Sequence, residues 1–242
     1  MRNFTSIKII LGLAFLLNVI GWLGVRYEQT VWMNVPPAPS PQSAVYAGIG
    51  DKQFSYRMIG IMIQNLGDAG GRVVALKDYN YDALTDWFYV EDYLDSHSNY
   101  IPYLASYYFA ASQDPEKFRP VLSYLEEVGK RPEKQKWRWL AQAAYIARFH
   151  LHDYDKALQL ANELANLDVK GLPVWAKRMP AFVMTAMGEK QAAYALLIET
   201  LKTEGDQMQP TEVNALKYYI CQKILEKDEA KRNPLCEGID FD

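Results

Sequence analysis

Residues Ile9 to Val25 read IILGLAFLLNVIGWLGV, 17 residues with no charge and one strongly polar side chain, Asn18. Such a run belongs in a hydrophobic core or in lipid. Its length lies at the short end of the about 17–25 residues that cross a bilayer. Lys8 and Arg26 flank it, and their long stems extend its reach by snorkelling to the interface. Arg2 and Lys8 precede the run, whereas Arg26 comes after it beside the offsetting Glu28. The positive-inside rule then keeps residues 1–8 in the cytoplasm and exports the chain beyond the 9–25 span, to the periplasm if the cell is bacterial. A signal peptide would want small residues at a cleavage site; Gly21-Trp22-Leu23-Gly24-Val25-Arg26 carries bulky ones, so an uncleaved single-pass anchor is expected. Asn18, Gly21 and Gly24 are the side chains through which this helix would pack against other spans.

Tyr27 and Trp32 suit a membrane interface. Pro36-Pro37-Ala38-Pro39-Ser40-Pro41 places four prolines in six residues. That composition favours an extended, semi-rigid spacer, and the stretch 26–45 reads as a linker. A folded domain is expected over 46–230, with a tail over 231–242. This leaves about 190–195 residues beyond the linker, enough for one sizeable core or a short array of stacked units.

The domain reads as helix after helix, over roughly 51–66, 80–95, 99–112, 115–128, 134–150, 153–167, 172–187, 189–204 and 210–227. Breaks fall at Gly67, Gly70-Gly71, Ser96, Gly129, Asp153, Gly171, Gly188 and Gly205. Asp114 before Pro115 reads as a helix start. The one strand-like stretch, Arg72-Val73-Val74-Ala75-Leu76, has no obvious partner. Helices joined by two-to-six-residue turns form antiparallel neighbours. Nine are too many for a four-helix bundle, so the expected fold is all-α: one transmembrane helix and a stack of helical hairpins. Aromatic residues make up 13% of the chain, with 17 Tyr and 6 Trp, and they suit wedges between packed helices.

One hairpin runs from Trp139-Leu140-Ala141-Gln142-Ala143-Ala144-Tyr145 to His152-Asp153-Tyr154-Asp155-Lys156-Ala157-Leu158. The next has Gly188-Glu189-Lys190-Gln191-Ala192-Ala193-Tyr194 at its turn, with Pro173 and Trp175 opening its first helix. The two turns lie 35 or 36 residues apart. This pattern resembles the tetratricopeptide repeat, whose period is about 34. In that family an acidic-aromatic turn precedes an alanine that lets the second helix approach the first; Asp153, Tyr154 and Ala157 match it. The resemblance spans about 70 residues at motif level. It implies a solenoid with a protein-binding concave face.

Composition and spacing single out several candidate sites. Tyr100, Tyr103 and Tyr107 lie three and four residues apart, on one helical stripe, and would either line a binding groove or pack between hairpins. Lys134, Lys136, Arg138 and Arg148 alternate with Trp137 and Trp139. The mix suits phosphates or nucleobases, a groove that reads acidic peptides, or a solvated helix face; Trp137, Arg138 and Arg148 are the candidates carried forward. Nucleic acid is disfavoured by a net charge of −3. Asp78, Asp82, Asp86, Glu91, Asp92 and Asp95 form a local acidic cluster. It reads as the wet side of an amphipathic helix whose Leu84, Trp87, Phe88 and Leu94 face inward. A carboxylate hydrolase built on Asp82 and Asp86 is the remote alternative. His150 and His152, two apart on a helix, diverge too far to share a metal ion, and His97 is the remaining histidine. No phosphate loop, nucleophile elbow or metalloprotease motif is present, so no catalytic, cofactor or metal site is expected.

Cys221 and Cys236 are the two cysteines. In an exported domain a disulfide between them would fold the tail against the last helix and cap the open end of a stack. These features together imply a membrane-anchored scaffold or assembly factor that binds proteins of a membrane or envelope complex. An integral accessory subunit of such a complex is the alternative.

Overall fold

A computed structural model describes residues 2–26, 34–69, 72–133 and 135–240. Tyr27, Trp32, Gly70-Gly71 and Lys134 lie outside the described residues.

The N-terminal helix α1 spans Arg2–Val25. Within it Ile7–Val25 is apolar, with a mean hydropathy of 2.0, and none of it is buried against the rest of the chain. At 1.5 Å per residue those 19 residues reach about 28 Å, close to the hydrocarbon thickness of a bilayer. Apolar side chains stand exposed on every side, a composition that membrane-spanning helices and signal sequences share.

The remaining elements are helical apart from one small hairpin. They are α2 (Pro41–Ala47), α3 (Lys52–Gln64), α4 (Tyr81–Leu94), α5 (Tyr100–Tyr103), α6 (Arg119–Gly129), α7 (Trp137–Phe149), α8 (Tyr154–Ala165), α9 (Val174–Lys177), α10 (Met179–Ala186), α11 (Lys190–Glu204), α12 (Pro210–Tyr219) and α13 (Lys227–Ala230). Asp51, Asn80 and Asp153 cap α3, α4 and α8 by accepting backbone N–H bonds in the first turn. Asp114 does not cap. Its carboxylate pairs with Lys117 at 3.7 Å, and a 3-10 turn over Pro115–Phe118 leads into α6. The strand-like stretch does find a partner: Arg72–Val73 pairs antiparallel with Asp68–Ala69.

Packing proceeds along the chain, α3 on α4, α4 on α6, α6 on α7, α7 on α8, α8 on α10 and α10 on α11. Small side chains set the spacing. Ala143, Ala144, Ala147, Ala157 and Ala161 are buried where α7 and α8 meet. Gly129 lies so close to α7 that a Cβ there would sit 2.3 Å from the Leu140 backbone nitrogen. Ion pairs join elements flanking α7: Lys156 to Glu126 at 2.7 Å, Lys130 to Glu163 at 2.9 Å and Arg119 to Asp153 at 2.8 Å. The main core runs from Val35 to Val183, and a second cluster holds Ala181, Ala193, Leu197, Leu216, Ile220 and Ile224.

One segment departs from the sequence reading. The proline-rich stretch does not stand off the domain. Val35 and Ala44 are buried, the Trp87 indole N–H donates to the Pro36 carbonyl at 2.7 Å, and the Ser55 hydroxyl donates to the Ala44 carbonyl at 2.8 Å. Prolines there supply free carbonyls and a preset φ, and both serve a backbone laid along α4. The tail is held as expected: Cys221 and Cys236 form a disulfide with Cα atoms 5.8 Å apart, within the usual span, and Ala230 is buried beside them.

Candidate protein-binding groove

The stripe Trp137, Ala141, Tyr145, Phe149 recurs every fourth residue and so lies along one side of α7. The opposite side of that helix, with Leu140, Ala143 and Ala147, is fully buried. Trp137, Ala141 and Tyr145 of the stripe instead line an open groove of 730 Å³, together with Tyr107, Pro173, Trp175 and Met179. A second hollow of 240 Å³ continues it through the shared Tyr145 and Met179, toward Phe182, Tyr219 and Arg148. Ring contacts hold the walls in place. Trp137 meets Trp175 edge-on at 5.6 Å, Tyr145 lies 4.6 Å from Phe149, and Phe182 meets Tyr219 edge-on at 4.7 Å. Even so, Tyr145, Phe149 and Trp175 each leave 45–47% of their surface exposed. That is a contiguous aromatic surface of the kind that marks an interaction site.

Four of the six residues expected to bind protein line this groove: Tyr107, Trp137, Arg138 and Arg148. Tyr103 stacks on Tyr107 at 5.1 Å and extends the aromatic surface. Tyr100 turns away, its hydroxyl bonded to Gln64 Oε1 at 2.7 Å on α3. That bond to α3 sets Tyr100 apart from the stripe, and beyond Tyr103 the helix does not stay regular. Pro102 lies within α5, and residues Leu104–Tyr108 form a π-helical turn. Such turns shift the register of the residues after them and are frequent at functional sites.

Comparison of the chain with protein-family models, curated proteins and solved structures returns no match.

The expected basic face divides in two. Arg138 and Arg148 reach the groove, with Arg148 stacked 4.5 Å over Phe149 and Arg138 5.6 Å from the Trp137 ring centroid. Lys136 is buried, and its ammonium donates to the Ser98 carbonyl at 2.7 Å; burial holds its pKa below the usual lysine range. Trp139 is buried too, donating to Asn99 Oδ1 at 2.7 Å.

The acidic cluster also divides. Asp82 and Asp86 are exposed, as expected, and Asp92 pairs with Arg131 at 2.7 Å. Glu91 is the exception: it is fully buried, and neither carboxylate oxygen has a hydrogen-bond partner among the described residues. It sits beneath Gly60 of α3, where an added Cβ would come 3.3 Å from Oε2 and 3.2 Å from the Tyr100 ring. Burial, aided by the nearby charge of Asp95, pushes its pKa up to about 8. Helical spacing carries this signal: Glu91 follows Leu84 by seven residues and Phe88 by three, on the inward side with Leu94, and the reading of the whole cluster as a wet face overlooks it.

Among the described residues no three His, Cys, Asp or Glu side chains converge as a metal site would require. On α1, the Asn18 amide donates to the Ala14 carbonyl of its own helix at 3.1 Å. Gly21 and Gly24 open onto empty space.

Proposed function

We propose that this protein is a membrane-anchored scaffold or assembly factor that holds a partner protein in the groove along α7. The observation that carries the reading is the groove itself: half-exposed aromatic rings, fixed by one another, beside two arginines on a firmly buried helix. A rigid aromatic surface of this kind loses little conformational freedom on binding, which is why Tyr, Trp and Arg dominate protein-binding hot spots. The order of packing from α3 to α11 supports a stack of antiparallel hairpins related to the tetratricopeptide arrangement, in which such a groove is the expected binding face.

The apolar, unburied α1 supports anchoring, and the anchor confines the domain to the membrane surface, where local concentration favours membrane partners. The Cys221–Cys236 disulfide supports an oxidising, extracytoplasmic location for the domain.

A photo-crosslinking residue at position 145 or 175 of the full chain, irradiated in native membranes, is expected to yield one reproducible set of crosslinked partners. The same residue at Gln159, exposed on α8, is expected to yield none of them. Equal products from all three positions would remove the groove from the function. A second reading, an accessory subunit held through its span, draws on the open space at Gly21 and Gly24. Leucine at both positions then abolishes co-purification with the complex, whereas the scaffold reading leaves it intact.

A further inference from the structure

We infer that the groove along α7 takes an acidic, amphipathic segment of a partner protein, with one carboxylate on Arg138, another on Arg148 and apolar side chains seated between them. The inference rests on the scaffold reading above and specifies the chemistry of the occupant.

The charge pattern of the domain carries it. The chain is net acidic, with 29 Asp and Glu against 26 Lys and Arg. Other cations of the packed helices are engaged, Arg119 with Glu116 and Asp153, Arg131 with Asp92, and Lys130 with Glu126 and Glu163. Arg138 and Arg148 have no ion-pair partner among the described residues. The walls they share contain no Asp or Glu. Two unpaired guanidiniums in a groove free of carboxylates form a site complementary to negative charge.

Their setting favours carboxylates over a diffuse anionic surface. Arg148 is partly buried against the Phe149 ring, and Arg138 lies near Trp137. Stacking of this kind holds a guanidinium plane while leaving its N–H edge to form paired bonds with a carboxylate. The two residues are ten positions apart on α7, which sets their backbones roughly 15 Å apart along the helix axis. An extended segment covers that distance in about four or five residues and a helical one in about ten. Tyr145 and Met179 line both the hollow with Arg138 and the one with Arg148, and Phe182 lines the second, a largely apolar floor on which a nucleic-acid backbone or a lipid headgroup layer would leave its own polar groups unmatched.

The test is selection from a random decapeptide display library on the full chain in nanodiscs, with enriched peptides resynthesised for binding measurements. Enriched sequences are expected to carry two or more Asp or Glu bracketing aromatic or large aliphatic residues. Arg138→Gln and Arg148→Gln are each expected to weaken those peptides about three- to tenfold, between the values for an exposed ion pair and a charge-assisted hydrogen bond. Arg→Lys at the same positions recovers part of the loss. Tyr145→Ala weakens binding whatever the charge of the peptide. Folding of every variant is checked by its thermal transition. Groove-dependent peptides without acidic enrichment, or acidic peptides indifferent to both Arg→Gln changes, would overturn this inference and leave the scaffold reading standing. Selection of no peptide sensitive to Tyr145→Ala would overturn both. Binding of phosphatidylglycerol nanodiscs that depends on the two arginines, without acidic peptide enrichment, would assign the charge to the membrane surface and overturn the inference as well.

Discussion

Glu91 shows how far one side chain can be moved by its position on a helix. A carboxylate surrounded by Gly60, Tyr56 and Tyr100, with no donor to meet it, is disfavoured in its charged form. Its pKa of about 8 lies above the ordinary value of 4.5, so the folded state holds a proton that the unfolded state releases between those two values. Stability is therefore undiminished below about pH 4.5, falls as pH rises, and has lost this contribution by about pH 8. Glu91→Gln mimics the neutral acid and removes the slope. The variant is expected to match the parent near pH 4.5 and to exceed it by on the order of 2–4 kcal/mol at pH 8.5. Urea midpoints measured across that range decide the matter; parallel curves for the two proteins would show that Glu91 stays ionised in the fold.

At the scale of elements, the closing feature is the link between α12 and the tail. Cys221 lies in the π-helical turn Ile220–Ile224 after α12, and Cys236 ends a 3-10 turn. Around them Leu225, Ala230, Leu235 and Ile239 form a small apolar cluster, too small to hold the tail by burial alone. Serine at both cysteines is expected to cost roughly 2–4 kcal/mol. The loss should show as a lower Tm and as faster proteolysis within 226–240, while the groove around α7 keeps its structure. If reduction leaves Tm unchanged, the cluster holds the tail without the bond. The α6–α7 contact is governed by Gly129 in the same direct way. Gly129→Ala drives a methyl into the Leu140 backbone, and a destabilisation of about 1–3 kcal/mol is expected from the forced separation of the two helices. A denaturant midpoint equal to the parent's would mean that the pair relaxes freely.

For the whole molecule, the boundary between the apolar N-terminal helix and the folded domain lies earlier than the prolines suggest. A chain beginning at residue 34 retains Val35, the Pro36 carbonyl and α2, and is expected to unfold at the same temperature as the domain in the full chain. One beginning at residue 48 leaves the Trp87 N–H and the Ser55 hydroxyl without their acceptors. It also uncovers the surface beneath Val35 and Ala44. A loss of about 3–6 kcal/mol is expected from the two orphaned donors and the exposed apolar area. Equal transition temperatures for the two truncations would show that the segment is dispensable. Much of this architecture was legible in the sequence, because apolar periodicity and helix breakers are local signals. The uncharged run gave α1, and the glycine, proline and capping residues set the helix limits to within a few positions. Asp153 and Ala157 marked a close-packed turn between α7 and α8. Features that depend on through-space neighbours were not legible. Nothing near Pro36 in sequence announces Trp87, nothing near Glu91 announces Gly60, and nothing near Tyr100 announces the Gln64 amide of α3 that accepts its hydroxyl. The sequence by itself therefore determined that the chain is helical, where its longer helices run and which one is apolar on all sides, since these depend on residues within a few turns of one another. Only the tertiary structure decided which exposed aromatics share a groove, which arginines are left unpaired and that the inward carboxylate of Glu91 meets no donor, since those depend on the neighbours that the packed helices bring beside them.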